Sequence, residues 1–121
     1  MGACYSVLVR VKFTDEEGAV RALNKMIKED TRADYSLEKN AKLGITPDTF
    51  EGLMRIFLAD WGKGIEIEKK KSGFTDYQND FDASYGWGSV LYRMFDTLKP
   101  YLAKGSKLVG NEDLDPIRDT V

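Results

Sequence analysis

Three aspartates, Asp76, Asp80 and Asp82, fall within seven residues of one another. Converging carboxylates are what hard cations require, and two of them can run acid–base chemistry without histidine. On a strand, Asp80 and Asp82 point to the same face. The spacing lacks the glycine and the distal glutamate of a calcium loop. It equally fits a solvated strand face opposite Phe81 and Ala83, so no metal or cofactor is expected. Tyr85 and Trp87 follow closely. Asp80, Asp82, Tyr85 and Trp87 are therefore the constellation on which a small carboxylate- and tyrosine-based enzyme, or a ligand-binding domain, would be built.

The other chemistry-bearing residues are weaker. Lys69, Lys70 and Lys71 with Phe74 and Tyr77 have the composition of a basic stacking platform for single-stranded nucleic acid. The flanking Glu66 and Glu68 favour a solvated hairpin guarded by edge lysines instead. Cys4 has no cation beside it in sequence, so it reads as a small core or edge residue rather than a reactive thiolate. Trp87 between two glycines can line a pocket, although aromatic residues at helical spacing are more often core. Asn111 to Asp115 reads as an acidic turn, and with Asp119 it forms an acidic tail, expected to be a frayed terminus or a negative contact surface.

The chain has 121 residues, no histidine and one cysteine. That removes the commonest general base, zinc ligand and pH switch together. Ser-His and Cys-His nucleophile pairs cannot be made within it. An intramolecular disulfide is likewise impossible, and a cytoplasmic protein is expected. The net charge of −2 supplies no global attraction to nucleic acid or anionic lipid, so both are disfavoured as partners. No apolar run approaches the ~18 residues of a membrane span, and no signal peptide is expected.

These residues must be positioned by regular elements. The stretch Tyr85–Lys107 is predicted to be one long amphipathic helix. Trp87, Leu91, Met94, Leu98 and Tyr101 form its apolar stripe, Ser84 or Ser89 caps it, and Pro100 kinks or ends it early. Residues 5–13 alternate as a half-buried strand. A helix then starts at a capping box led by Thr14 and ends near Asp30. Thr31–Gly44 reads as a surface connection with a short helical turn, anchored by Tyr35, Leu37 and Leu43. A further helix is expected with Thr46 as cap, Pro47 in its first turn and a stripe of Phe50, Leu53, Met54, Phe57 and Trp61. Residues 65–71 and 77–85 are predicted to pair as a hairpin. Two short strands follow, at 107–109 and 117–121.

The order β-α-α-β-β-α-β, with a possible extra C-terminal strand, resembles the ferredoxin-like arrangement. The fold expected is thus α+β, a single domain over 1–121, with an antiparallel sheet covered by helices on one face. That arrangement hosts many activities, so it implies none. Arg10 and Lys12 are expected to neutralise Asp80 and Asp82 across the open face. Ile56 and Leu58 lie off the helix stripe and, with Trp61, are the predicted binding surface. The expected function is a small soluble protein-binding or regulatory module without catalytic activity, of the kind that inhibits a larger protein. Its partner would be a protein or a second copy of the chain.

Overall fold

A computed structural model describes residues 2–121. The protein is α+β. Its strands are β1 (Gly2–Val11), β2 (Glu66–Lys69), β3 (Thr75–Ser84), β4 (Lys107–Glu112) and β5 (Asp115–Thr120). Its helices are α1 (Glu16–Glu29), α2 (Leu37–Lys42), α3 (Phe50–Phe57) and α4 (Trp87–Leu98). The strands form one open sheet in the order β2-β3-β1-β4-β5, with every neighbouring pair antiparallel. Among the described residues no helix is long and apolar enough to cross a membrane.

Strand periodicity divides the sheet into two faces. Tyr5, Val7, Val9 and Val11 of β1 are buried, as are Tyr77 and Phe81 of β3 and Leu108 of β4. They join one apolar cluster with Leu23 of α1, Leu53 and Phe57 of α3, and Leu91, Met94 and Leu98 of α4. Aromatic edges lock the layers together. The Phe50 ring meets Phe13 at 4.7 Å and Tyr77 at 5.3 Å. Tyr77 is therefore a core residue, and it is not available to stack on a nucleic acid base beside Lys69–Lys71.

Several local expectations are corrected, each for a physical reason. The long helix spans only Trp87–Leu98, and Lys99–Tyr101 continue as a single 3-10 turn. Pro100 has no N–H for another helical bond, and Lys107 already begins β4. Neither Ser84 nor Ser89 caps α4. Gly86 stands at the cap without a side-chain bond, and the Gly88 N–H donates to the Tyr5 hydroxyl at 3.2 Å. Helix α1 is capped by Asp15, whose Oδ1 accepts from Gly18 N–H at 2.9 Å. Thr14 lies outside the helix, its N–H committed to the Tyr101 carbonyl at 2.9 Å. Helix α3 is capped by Thr49, not Thr46. Residues 46–49 fold back over its first turn so closely that a Cβ on Gly52 would lie 1.8 Å from the Thr46 carbonyl oxygen.

The connection 31–44 holds α2, with Tyr35 buried but Leu37 and Leu43 exposed. The acidic stretch at 111–115 is the turn expected from the sequence, and not a frayed end. It is the β4–β5 turn, fixed by Asp113, whose Oδ1 accepts from Cys4 N–H at 2.9 Å.

The open face also departs from expectation. Antiparallel register sets Arg10 opposite Asp76, Ser6 opposite Asp80 and Cys4 opposite Asp82. Arg10 grips Asp76 through two bonds of 2.7 and 2.9 Å. Ser6 Oγ donates to Asp80 at 2.6 Å. Lys12 lies instead over the Phe74 ring. Among the described residues Asp80 and Asp82 are thus left without a cationic partner on that face.

A candidate strand-addition edge and its aromatic cleft

Strand β3 is ten residues long and its outer neighbour β2 only four. The β2–β3 ladder ends at Glu66 opposite Gln78. From Asn79 onward β3 is an edge. Cys4 shows which backbone groups lie on it. Its N–H donates to Asp113 Oδ1 and its carbonyl accepts from Asp113 N–H at 2.7 Å, both on the β4 side of β1. Antiparallel ladders alternate, so the residues opposite Cys4 and Ser6 turn their backbone groups away from β1. Asp82 and Asp80 therefore present N–H and carbonyl groups at the free edge. Among the described residues no donor or acceptor of the chain meets them there.

The segment facing this edge is the loop after α3, and it stands off rather than pairing. Two clefts occupy the gap. The larger, about 540 Å³, is lined by Cys4, Asp80, Asp82, Trp61 and Lys63 among others. The smaller, about 190 Å³, runs between Tyr35, Trp61 and Trp87 and reaches Asp34, Asn40 and Asp82. Together they carry three carboxylates against one lysine.

The loop is held open by a buried charge. Asp60 is 1% exposed. Its carboxylate takes the Arg55 guanidinium at 2.5 Å and accepts from the Gly64 N–H. The Arg55 pKa is raised, chiefly by that bond; burial opposes it and Glu51 assists. Gly64 sits at φ +89°, where a side chain would be strained. Trp61 is carried outward on this loop with 45% of its surface exposed.

Backbone strain concentrates here. Among the described residues four non-glycine positions have left-handed backbones, and three of them, Ser36, Ala59 and Trp61, line the small cleft. Each such conformation costs on the order of 1–3 kcal/mol and persists only where its surroundings impose it. The opposite wall is equally fixed. Trp87 Nε1 donates to the Phe57 carbonyl at 2.8 Å, and the Tyr35 ring meets Trp87 at 5.8 Å and Phe57 at 5.5 Å. The Tyr35 hydroxyl donates to Asp30 at 3.0 Å. Burial, and then the Asp30 carboxylate, push its pKa up. Burial alone would raise the Asp30 carboxyl, but the bonds from Arg32 N–H and Tyr35 outweigh it and hold the group low.

The predicted site residues separate. Trp61, Trp87 and Asp82 come together, and Asp80 lies beside them. Tyr85 does not join them. It is 55% exposed and lines a different hollow with Tyr92 and Glu112. Ile56 and Leu58, predicted with Trp61 as a contact surface, are 4% and 0% exposed. Leu58, just past the end of α3, offers a partner no area, whereas Ile56 is buried but contributes to the wall of the small cleft. Asp76 is set apart by Arg10, which holds its carboxyl low against the opposing effect of burial. No group of three or more metal-ligating side chains occurs among the described residues.

Cys4 is exposed on the open face, not in the core. Its thiol pKa is raised by the hydrogen bond to Asp82 and that residue's charge, with small contributions from burial and Asp113. Such a thiol is a poor nucleophile. The cleft residues missed in the sequence are Ser36, Asn40 and Ala59. No apolar period marks them, and their contribution is backbone shape.

A larger groove of about 800 Å³ lies between α1 and α4. Within it Arg93 and Arg32 pair with Asp30, at 2.8 and 3.5 Å, and the groove is open and shallow. Comparison with protein-family models, curated protein sequences and solved structures finds no match to this chain.

Proposed function

We propose that the chain is a ferredoxin-like protein-binding module that accepts an extended, basic segment of a partner protein as an added strand beside β3. Leaving β5 aside, the order β4-β1-β3-β2 is that of the split βαβ arrangement. One apolar cluster runs from Ala3 to Ile117, in keeping with a single domain. The observation that carries the proposal is the free edge at Asp80 and Asp82. An added strand would take its affinity from these four backbone groups and its specificity from side chains that drop alternately into the flanking clefts. Three carboxylates against one lysine favour a basic segment. Natural sheets normally blunt such an edge with lysine, proline or a covering element. Here, among the described residues, the edge is flanked by a loop held at a distance by Asp60, and the charges on it are the Asp80 and Asp82 carboxylates with Lys63 across the gap.

The test uses a short peptide alternating lysine and threonine, with glutamate in place of lysine as control. Binding is followed by calorimetry. The lysine peptide is expected to bind and the glutamate peptide not. Asp80→Pro removes an edge donor, together with the carboxylate that accepts from Ser6, while sparing the backbone bonds to β1. It is expected to weaken binding at least tenfold, while Asp80→Asn, which removes the charge alone, weakens it less. Equal binding by wild type and a folded Asp80→Pro protein would refute strand addition.

A further inference from the structure

We infer that the small cleft holds the primary ammonium of a lysine side chain carried by the added strand, an inference that rests on the strand-addition proposal. Tyr35, Trp61 and Trp87 line the cleft. The Tyr35 and Trp87 rings stand at 62° to each other, giving two differently oriented aromatic walls. Ring faces attract cations, most strongly in tryptophan. The molecule already shows that preference, since Lys39 Nζ lies 5.8 Å from the centre of the Trp61 ring. Asp34 and Asp82 supply negative charge to the cleft, and no basic residue lines it.

Asn40 selects among cations. It is 3% exposed. Its Nδ2 donates to the carbonyls of Tyr35 at 3.3 Å and Ser36 at 3.0 Å, which fixes the amide's orientation. No N–H or O–H of the described residues donates to its Oδ1. Asn40 lines the cleft, and its oxygen is not among the sealed, unpartnered side-chain atoms of the described residues; that oxygen is taken as the acceptor for the ammonium. A primary ammonium brings three N–H donors to such an acceptor, and a quaternary ammonium brings none. The volume of about 190 Å³ equals roughly six water volumes. That admits an ammonium and its last methylenes.

Both tryptophans of the chain line the cleft, so intrinsic fluorescence reports on it. The full chain is titrated at constant ionic strength with n-butylammonium, tetramethylammonium and n-butanol. The expected result is a saturable change with n-butylammonium, at least tenfold weaker with the other two, and weakened at least fivefold by Asp82→Asn. Equal responses to all three probes, or to the two cations, would overturn the inference. So would no response to n-butylammonium when the lysine–threonine peptide binds in an Asp80→Pro-sensitive way; strand addition would then stand without the cleft. Saturation by n-butylammonium with no peptide binding would support the cleft as an amine site and overturn strand addition.

Discussion

The indole N–H of Trp87 donates to the carbonyl of Phe57 at 2.8 Å, tying the first turn of α4 to the last turn of α3. Without that bond the Phe57 carbonyl, near a helix end, would lack a side-chain partner. The same bond fixes the Trp87 ring as a wall of the small cleft. Trp87→Phe keeps an aromatic ring and loses the donor. It is expected to cost about 0.5–1.5 kcal/mol in urea unfolding and to loosen the cleft. An unchanged midpoint would mean that the bond contributes nothing.

Leu91 and Leu98 are fully buried on the inner face of α4. Leu91→Ala or Leu98→Ala should each cost ~2–5 kcal/mol. A loss below ~1 kcal/mol at both positions, measured by chemical denaturation, would contradict a core role for this stripe.

Leu58 and Trp61 are three residues apart and should respond in opposite ways. A lysine at position 58 would place a charge where exposure is 0%, whereas Trp61 is 45% exposed. Leu58→Lys is expected to lose at least the ~2–5 kcal/mol of a truncation. Trp61→Lys should leave thermal unfolding nearly unchanged and abolish the fluorescence response to n-butylammonium. Comparable destabilisation by the two would show that the loop does not carry Trp61 outward.

Asp60 sets the loop. Asp60→Ala removes hydrogen bonds to Arg55 and Gly64 and should cost about 1.5–3 kcal/mol. Glu51→Ala removes only the exposed partner of Arg55, 3.2 Å away, and should cost ~0–1 kcal/mol. Guanidinium unfolding of the two variants ranks them, and the reverse order would exclude Asp60 as the anchor.

Acid stability should depend on Asp76. Arg10 holds its carboxyl below the usual value, with burial opposing. A lowered carboxyl contributes stability above its unfolded pKa and loses it as pH falls through the folded value. The unfolding free energy of the wild type should therefore fall more steeply below about pH 4 than that of Asp76→Asn. Parallel pH curves for the two proteins would count against the pair.

The parts legible in the sequence were those with a strong period or an obligatory residue. The alternation of Tyr5 to Val11 and the stripe through Leu91 and Leu98 located β1 and α4, and Pro100 marked the early end of the helix. The hairpin between β2 and β3 was also legible. Capping was not, because Thr14 and Thr46 resemble caps locally but tertiary bonds and the fold-back over Gly52 displace them. Ile56 and Leu58 misled for a related reason, since a helix packed on several sides buries residues that a single stripe leaves out. The cleft was half legible through Trp61, Trp87, Asp80 and Asp82. Its other half is backbone, the left-handed Ser36 and Ala59 and the unpaired edge of β3. These arise from the unequal lengths of two strands and the stand-off of a loop.

The most direct measurement is amide hydrogen exchange at Asp80, Phe81 and Asp82, in the free chain and with the lysine–threonine peptide. In the free chain the Phe81 amide, bonded to β1, should be protected, whereas those of Asp80 and Asp82 should exchange rapidly. Saturating peptide should protect Asp80 and Asp82 and leave Phe81 as it was. Protection of Asp80 and Asp82 already present in the free chain, or protection appearing only elsewhere on peptide binding, would contradict strand addition at β3.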